Sequence, residues 1–375
     1  MAMLRATTLA ALAVTVAFVA SPAARADVRD LGPVGNVSAL SAHRGWVVWS
    51  EVGAEGRWHL VAWHAGARVM LPVPPRSAPF DADVGSDASG HPVATYSRCR
   101  ADPGPAPPGN PVAGYASPNG LARQSLARGC GLRMLDLASG RERPLRVRRP
   151  QGASDTTPSM WRGDVAFARM KRGATVAQVM LWRHRSRRLT RLRHGTVPPG
   201  CPVGDACART VRRGEVQQLD LDSSGVAFVW DLAPGVIGAG DGWELRVDHL
   251  RTGASHNYAS GYQSGACGAR YPVSPNMVGP DVWFAELRWV CDVAHTSYVR
   301  GVPSGKRGLL EVGPPLLWQV AIDDATAYSI RGPRPDDSLH DDPPCVGSGS
   351  PCRLVAEHRP TLPVTGQPVT GPFSG

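Results

Sequence analysis

Six recurrences of one hairpin-sized pattern, with almost no sustained helical periodicity, predict an all-β chain folded as a six-bladed β-propeller of four-stranded antiparallel blades. The recurrence is clearest between "PSMWRGDVAFA" (158–168) and "PNMVGPDVWFA" (275–285), which agree nearly position by position. "RGWVVWS" (44–50) has the same shape. "FDADVGSDASGHPVATYSRC" (80–99), aligned on Gly90, matches "LDLDSSGVAFVWD" (219–231) aligned on Gly225, and "QVAIDDATAYSI" (319–330) is a sixth copy. Each copy reads as a short strand, a tight polar turn and a Val/Phe/Trp-rich strand, which is a β-hairpin.

A second hairpin follows each of the first. "WHLVAWHAGARVMLPVP", "LRMLDLASGRERPLRV" and "QVMLWRHRSRRLTRL" are three copies, and "RLVAEHRPTLPVTG" (353–366) is the last. Six units of four strands, A to D, result. Their limits are about residues 33–75, 79–149, 153–195, 215–260, 271–313 and 316–366, within one domain spanning 27–375. A seventh blade is the alternative if Asp27 to Val37 pairs with the tail.

The chain opens with MAMLRATTLAALAVTVAFVASPAARA, in which Arg5, an apolar run over Leu9–Val19 and Ala24-Arg25-Ala26 form a secretory signal with its cleavage site. Export after Ala26 is expected, to the extracellular space or cell envelope, with no transmembrane segment in the mature chain. The net charge is +10, but nearly all of it is arginine in a chain rich in Ala, Gly and Pro. That pattern reads as codon bias, so no nucleic-acid partner is inferred, and a monomer is expected.

Eight cysteines in an exported chain imply disulfides. Sequential pairing is expected: Cys99 with Cys130, Cys201 with Cys207, Cys267 with Cys291 and Cys345 with Cys352. The close Cys-x-x-Cys pairs of zinc sites are missing.

"SDASGHPVATYS" followed by "LRMLDLASGRERPL", together with "VMLWRHRSRRLTRL", resembles the repeat of TolB-like, WD40-like (PD40-type) secreted bacterial propellers. The Ser-Pro-Asp-Gly of that repeat appears here only in altered forms, at Ser86–Gly90 and Asp222–Gly225. The resemblance implies the six-bladed fold and says little of function.

Sorting the connections separates two faces. A–B and C–D turns are short, while the long segments (Arg100–Arg128, Thr196–Gly214, Leu232–Gly242, Gly261–Arg270 and Arg331–Pro351) are all B–C or D–A connections. In an antiparallel blade these emerge on one side. Binding residues concentrate on long loops carried by a rigid scaffold. The expected function is therefore non-catalytic binding of a protein or envelope ligand through that disulfide-bearing face. The alternative is a hydrolase or lyase with its site at the axial mouth.

Candidate ligand residues are Asp336, Asp337, His340, Asp341 and Asp342 in "RGPRPDDSLHDDPPC", where carboxylates suit a hard cation or a basic partner. A structural calcium ion there is the one cofactor considered. Trp243, at the entry to a strand C, and Asp81 and Asp83, on an innermost strand A, complete the set. Arginines at 143, 146, 148, 149, 183, 185, 187, 188, 191 and 193 form a basic belt suited to an anionic polymer or to solvated strand edges. Most tryptophans fall in strands and read as packing. G-x-S-x-G, H-E-x-x-H and the sialidase Asp-box do not occur. "LPVTG" (362–366) fits a sortase motif, yet only "QPVTGPFSG" follows its Gly366, with no apolar span, so it is read as an outer D strand.

Overall fold

The computed structural model describes residues 28–35, 37–100, 128–174, 176–192, 211–234, 242–262, 270–290, 293–312, 316–332 and 352–364. Strand β1 is Arg29–Val34. Blade 1 holds β2 (Val37–His43), β3 (Trp46–Val52), β4 (Trp58–His64) and β5 (Ala67–Met70). Blade 2 holds β6 (Asp83–Ser86), β7 (Pro92–Arg98), β8 (Gly131–Asp136) and β9 (Glu142–Pro144). Blade 3 holds β10 (Ser154–Trp161), β11 (Asp164–Met170), β12 (Gln178–Arg183) and β13 (Arg188–Arg191). Blade 4 holds β14 (Val211–Leu221), β15 (Gly225–Pro234), β16 (Gly242–His249) and β17 (Ser255–Tyr262). Blade 5 holds β18 (Arg270–Val278), β19 (Asp281–Val290), β20 (Val293–Gly301) and β21 (Arg307–Val312). Blade 6 holds β22 (Leu316–Asp323), β23 (Thr326–Gly332) and β24 (Cys352–His358), and its fourth strand is β1.

The ladders are antiparallel, and the six first strands touch one another in sequence around a closed ring, β22 against β2 included. This is a six-bladed propeller, as the sequence predicts. The last blade differs from that prediction. Residues 29–34 do pair with the tail, Arg29 opposite Ala356 and Val34 opposite Cys352, but they complete blade 6 and build no seventh. Leu362–Val364 of "LPVTG" correspondingly lie outside any strand, and its Thr365 and Gly366 lie outside the described residues. Leu362 is buried with Trp283, Tyr298 and Leu317 in the seam between blades 5 and 6. Leu71 of the matching "LPVPP" fills the seam between blades 1 and 2 beside Phe80 and Tyr96. Both segments are apolar plugs whose prolines lie outside the ladders, which explains the likeness without a shared strand.

The core lies between blades. Trp49, Phe80, Phe167, Phe228 and Phe284 are fully or almost fully buried, each from a first or second strand or the segment leading into one. The expectation that tryptophans pack holds for Trp49, Trp182, Trp230, Trp283 and Trp318. Trp161, at the end of β10, is only half-buried.

Candidate functional site

The inner strands carry a pattern of threefold character. In blades 1, 3 and 5 the register of the first strand slips, and Ala39, Thr157 and Ser274 take up left-handed backbone at φ 53, 50 and 53°. Such conformations are costly for residues with a Cβ, so something must hold them. Side chains of the even-numbered blades bond at, or next to, each of these residues. Asp81 Oδ2 accepts the Thr157 N–H at 2.7 Å, Gln218 accepts the Ser274 N–H, and Gln319 Oε1 accepts the Leu40 N–H at 3.2 Å and the Ser274 hydroxyl at 3.0 Å.

One step along the axis the direction reverses, and odd blades hold even ones. Ser41 Oγ accepts the Val84 N–H at 2.9 Å, Ser159 Oγ accepts the Leu221 N–H at 2.9 Å, and Asn276 Oδ1 accepts the Ile322 N–H at 3.2 Å. At the short-turn end even blades again hold odd ones. Ser86 Oγ accepts the Arg162 N–H at 3.1 Å, Asp323 accepts the Arg44 and Gly45 amides, and the Ser224 hydroxyl donates to the Gly279 carbonyl.

Asp81 and Asp83 belong to this network. Both oxygens of Asp81 are taken, Oδ1 accepting the Ser97 N–H at 2.8 Å, and Arg76 lies 3.7 Å away. Asp81 therefore locks blade 2 to blade 3. Asp83 receives the Ser41 hydroxyl at 2.6 Å on Oδ1, while its buried Oδ2 makes no hydrogen bond of good geometry. Asp220 occupies the corresponding place in blade 4, with Ser159 Oγ at 3.3 Å and the Met277 amide on its other oxygen. Blade 6 has Ala321 there. Burial pushes Asp83 up to about 6, against the hydrogen bonds from Ser41, Ser159 and the Met160 and Val84 amides. Burial, and then the charge of Asp83, holds Asp220 well above the usual carboxylate range.

This pair sets a pH dependence. Because folding raises both carboxyls, their favourable contribution is fully present below the unfolded value near 4 and is lost as pH rises through about 6. Asp155, Glu244 and Asp248 are raised by burial in the same sense. His43 and His249, which burial holds below the usual imidazole value, act in the opposite sense below about pH 6.5. Asp83→Asn is therefore expected to make stability rise more, or fall less, between pH 5 and 7.5 than it does in wild type, whatever it does to absolute stability. Unfolding by urea at a series of pH values reads the difference; an Asp83→Asn curve parallel to that of wild type would contradict the assignment.

Along the axis, Asp81, Asp83, Gln218 and Asn276 line a cavity of only about 40 Å³, room for little more than water. Toward the short turns the channel widens to about 250 Å³ between His43, Arg44, Asp220, Asp222, Asp323 and Asp324. Among the described residues no group of three His, Cys, Asp or Glu side chains is placed to hold a metal ion. Sequence reasoning missed Asp220, Gln218 and Gln319; the match of 219–231 to the stretch around Asp83, aligned on Gly90 and Gly225, sets Asp220 opposite Gly85, because the first turn of blade 2 is longer than that of blade 4.

The other candidates fall mostly elsewhere. Trp243 sits in β16 with Asp231 and Gly261 as backbone partners, and its side chain lies outside the description. Asp336, Asp337, His340, Asp341 and Asp342 lie outside the described residues, as do Cys201, Cys207, Cys267, Cys291 and Cys345. Cys99–Cys130 is formed as expected, at the end of the ring from which β7 leads into the connection 101–127. Cys352 is also disulfide-bonded. The connections 101–127, 193–210, 235–241, 263–269 and 333–351 all leave the strands at this end, which also holds a few short ones, while the A–B and C–D turns at the other end are two to five residues long.

Fold and seams define a six-bladed propeller latched by its N-terminal strand. No known family model matches the chain, and no curated protein sequence matches it. Among solved structures it is similar to TolB from Acinetobacter baumannii, at 7% identity and a TM-score of 0.44, covering 85% of this chain and 65% of that one. It thus spans just under two thirds of the length of that TolB. It is similar to an oligogalacturonate lyase in complex with manganese, at 12% identity and a TM-score of 0.40, covering 87% and 76%. The β-propeller domain of the trilobed protease from Pyrococcus furiosus matches at 8% identity and a TM-score of 0.40, covering 90% and 97%. These propellers include enzymes as well as TolB, so the likeness concerns the fold. No helix among the described residues is long and apolar enough to cross a membrane.

Proposed function

We propose that this chain is an exported, monomeric, non-catalytic propeller that binds a protein or cell-envelope ligand through the face carrying its long connections. The observation behind this reading is the asymmetry of the ring, with long segments at one end and turns at the other. The Cys99–Cys130 disulfide pins the base of one such segment and is compatible with an oxidising compartment. Closing a loop of 31 residues lowers the ordering cost of binding. The acidic run from Asp336 to Asp342, with or without calcium, and Trp243 are the proposed contacts.

An axial hydrolase or lyase is the second reading, supported by the raised carboxyls of Asp83 and Asp220. Against it, three of their four oxygens are occupied by hydrogen bonds from the chain itself. The test is capture of partners by the immobilised mature protein from its own envelope fraction, with and without chelator. Cys99→Ser/Cys130→Ser is expected to weaken capture severalfold while the ring stays folded. Capture unchanged by this variant and by Trp243→Ala would remove the long-loop face from consideration.

A further inference from the structure

The opposite end of the ring holds an open depression of about 800 Å³ between blades 1 to 4, within the size range of small-ligand sites. It is built from short turns and the strand ends beside them. Arg44, Arg162 and Arg185 are exposed on it and, among the described residues, none forms an ion pair with a carboxylate. Arg183 is neutralised by Asp164 at 2.7 Å, and Asp222 is buried and occupied by Ser224. The surface therefore carries three guanidinium groups outside any ion pair among the described residues, with Arg44 and Arg162 also bordering the channel mouth of Asp220, Asp222, Asp323 and Asp324. Arg185 comes from the basic belt read in the sequence; the other two come from the A–B turns of blades 1 and 3.

Those two turns are informative. Each is a two-residue hairpin loop with both residues left-handed: Arg44 and Gly45 at φ 51 and 76°, Arg162 and Gly163 at φ 47 and 83°. Asn, Asp or Gly is the usual first residue of such a turn. The equivalent position in blade 5, away from the depression, is Gly279. Arginine thus stands in a strained position in the two odd blades that border the depression, and not in the third. Ala65-Gly66 makes the same turn elsewhere in blade 1, so arginine is not what the turn itself requires. Arg44 is steadied by the Gly90 carbonyl, and Arg162 lies 5.8 Å from the Trp161 ring centre.

We propose that this depression binds an acidic oligosaccharide whose sugars carry carboxylates. Guanidinium groups pair with carboxylates in a two-pronged geometry. The half-buried Trp161 indole, with Arg162 over its ring, adds apolar surface for a sugar, and the hydroxyls of Ser89, Ser186 and Ser223 suit its hydroxyl groups. The lining is poor in aliphatic side chains, which disfavours a peptide needing apolar anchors. The site lies at the other end of the ring from the long connections, and stands or falls apart from the function proposed there.

The test is calorimetric titration of the mature protein at low salt with a uronic-acid hexasaccharide. A neutral hexasaccharide, a glycan phosphate oligomer and oligoglutamate of equal charge are the comparison arms. Arg44→Asn and Arg162→Asn keep left-handed turns accessible, and Arg185→Gln alters an exposed residue that makes no contact needed by the fold. The expected result is binding of the uronate alone among the four, weakened roughly two- to fivefold by Arg185→Gln and tenfold or more by the triple variant. No uronate binding, equal binding of the neutral sugar, or an unchanged affinity in the folded triple variant overturns the proposal. Tighter binding of oligoglutamate or of the glycan phosphate also overturns it, assigning the arginines to an acidic peptide or to phosphate.

Discussion

Gly85→Ala is expected to destabilise the protein by about 3 kcal/mol or more, among the largest effects of any single methyl group added to this chain. A Cβ at position 85 would lie 1.7 Å from the Met160 carbonyl oxygen of β10, a backbone atom that cannot swing aside. Gly85 has ordinary extended backbone, so the requirement is for space alone. The neighbouring Ser86 accepts both the Arg162 and Gly163 amides, so displacing β6 also breaks the turn contacts between blades 2 and 3. Equilibrium unfolding in urea measures the loss. A variant within about 1 kcal/mol of wild type would show that this seam yields more than the packing implies.

Asp81→Ala is expected to cost about 3–5 kcal/mol, for electrostatic reasons. Arg76 is buried, donates to the Ala78, Pro79 and Ser97 carbonyls, and lies 4.3 Å from the Phe80 ring centre, with Asp81 as the carboxylate facing it. Removing that carboxylate leaves a buried guanidinium with diminished compensation and deprives the Ser97 and Thr157 amides of their acceptor. Thr157 is left-handed, and the lost bond is the one that holds it there. In the double variant with Arg76→Met the loss is expected to be smaller than the sum of the two single losses, because the stranded charge is gone. Strict additivity in that cycle would show that the two side chains act independently.

Blade number, strand order within blades and the separation of long connections from short turns are all legible in the sequence. They follow from short-range patterns: alternation along strands and glycine-bearing turns. The closing strand was not legible as such, because β1 and β24 are paired across the length of the chain and nothing local in "RDLGPV" says which blade it joins. Asp83 lies on the innermost strand, as the sequence predicts, whereas Asp81 lies in the segment leading into it, and their partners, Arg76, Ser41 and Thr157, come from three different blade positions. The sequence could not distinguish a carboxylate offered to a ligand from one consumed by backbone amides. Buried glutamines such as Gln218 and Gln319 carry no motif at all; only the left-handed residues they hold reveal their purpose.

The alternating seams make blade count a question of parity. Odd and even blades have different inner strands, and each kind presents to its successor what only the other kind can receive. The sequence already contains this division, since its best matches pair 158–168 with 275–285 and 84–96 with 219–231. The working unit is then a couple of blades, used three times. Ring growth by one such couple would give eight blades with every seam intact, whereas a ring of seven would set two like blades side by side, with left-handed residues lacking acceptors on one flank.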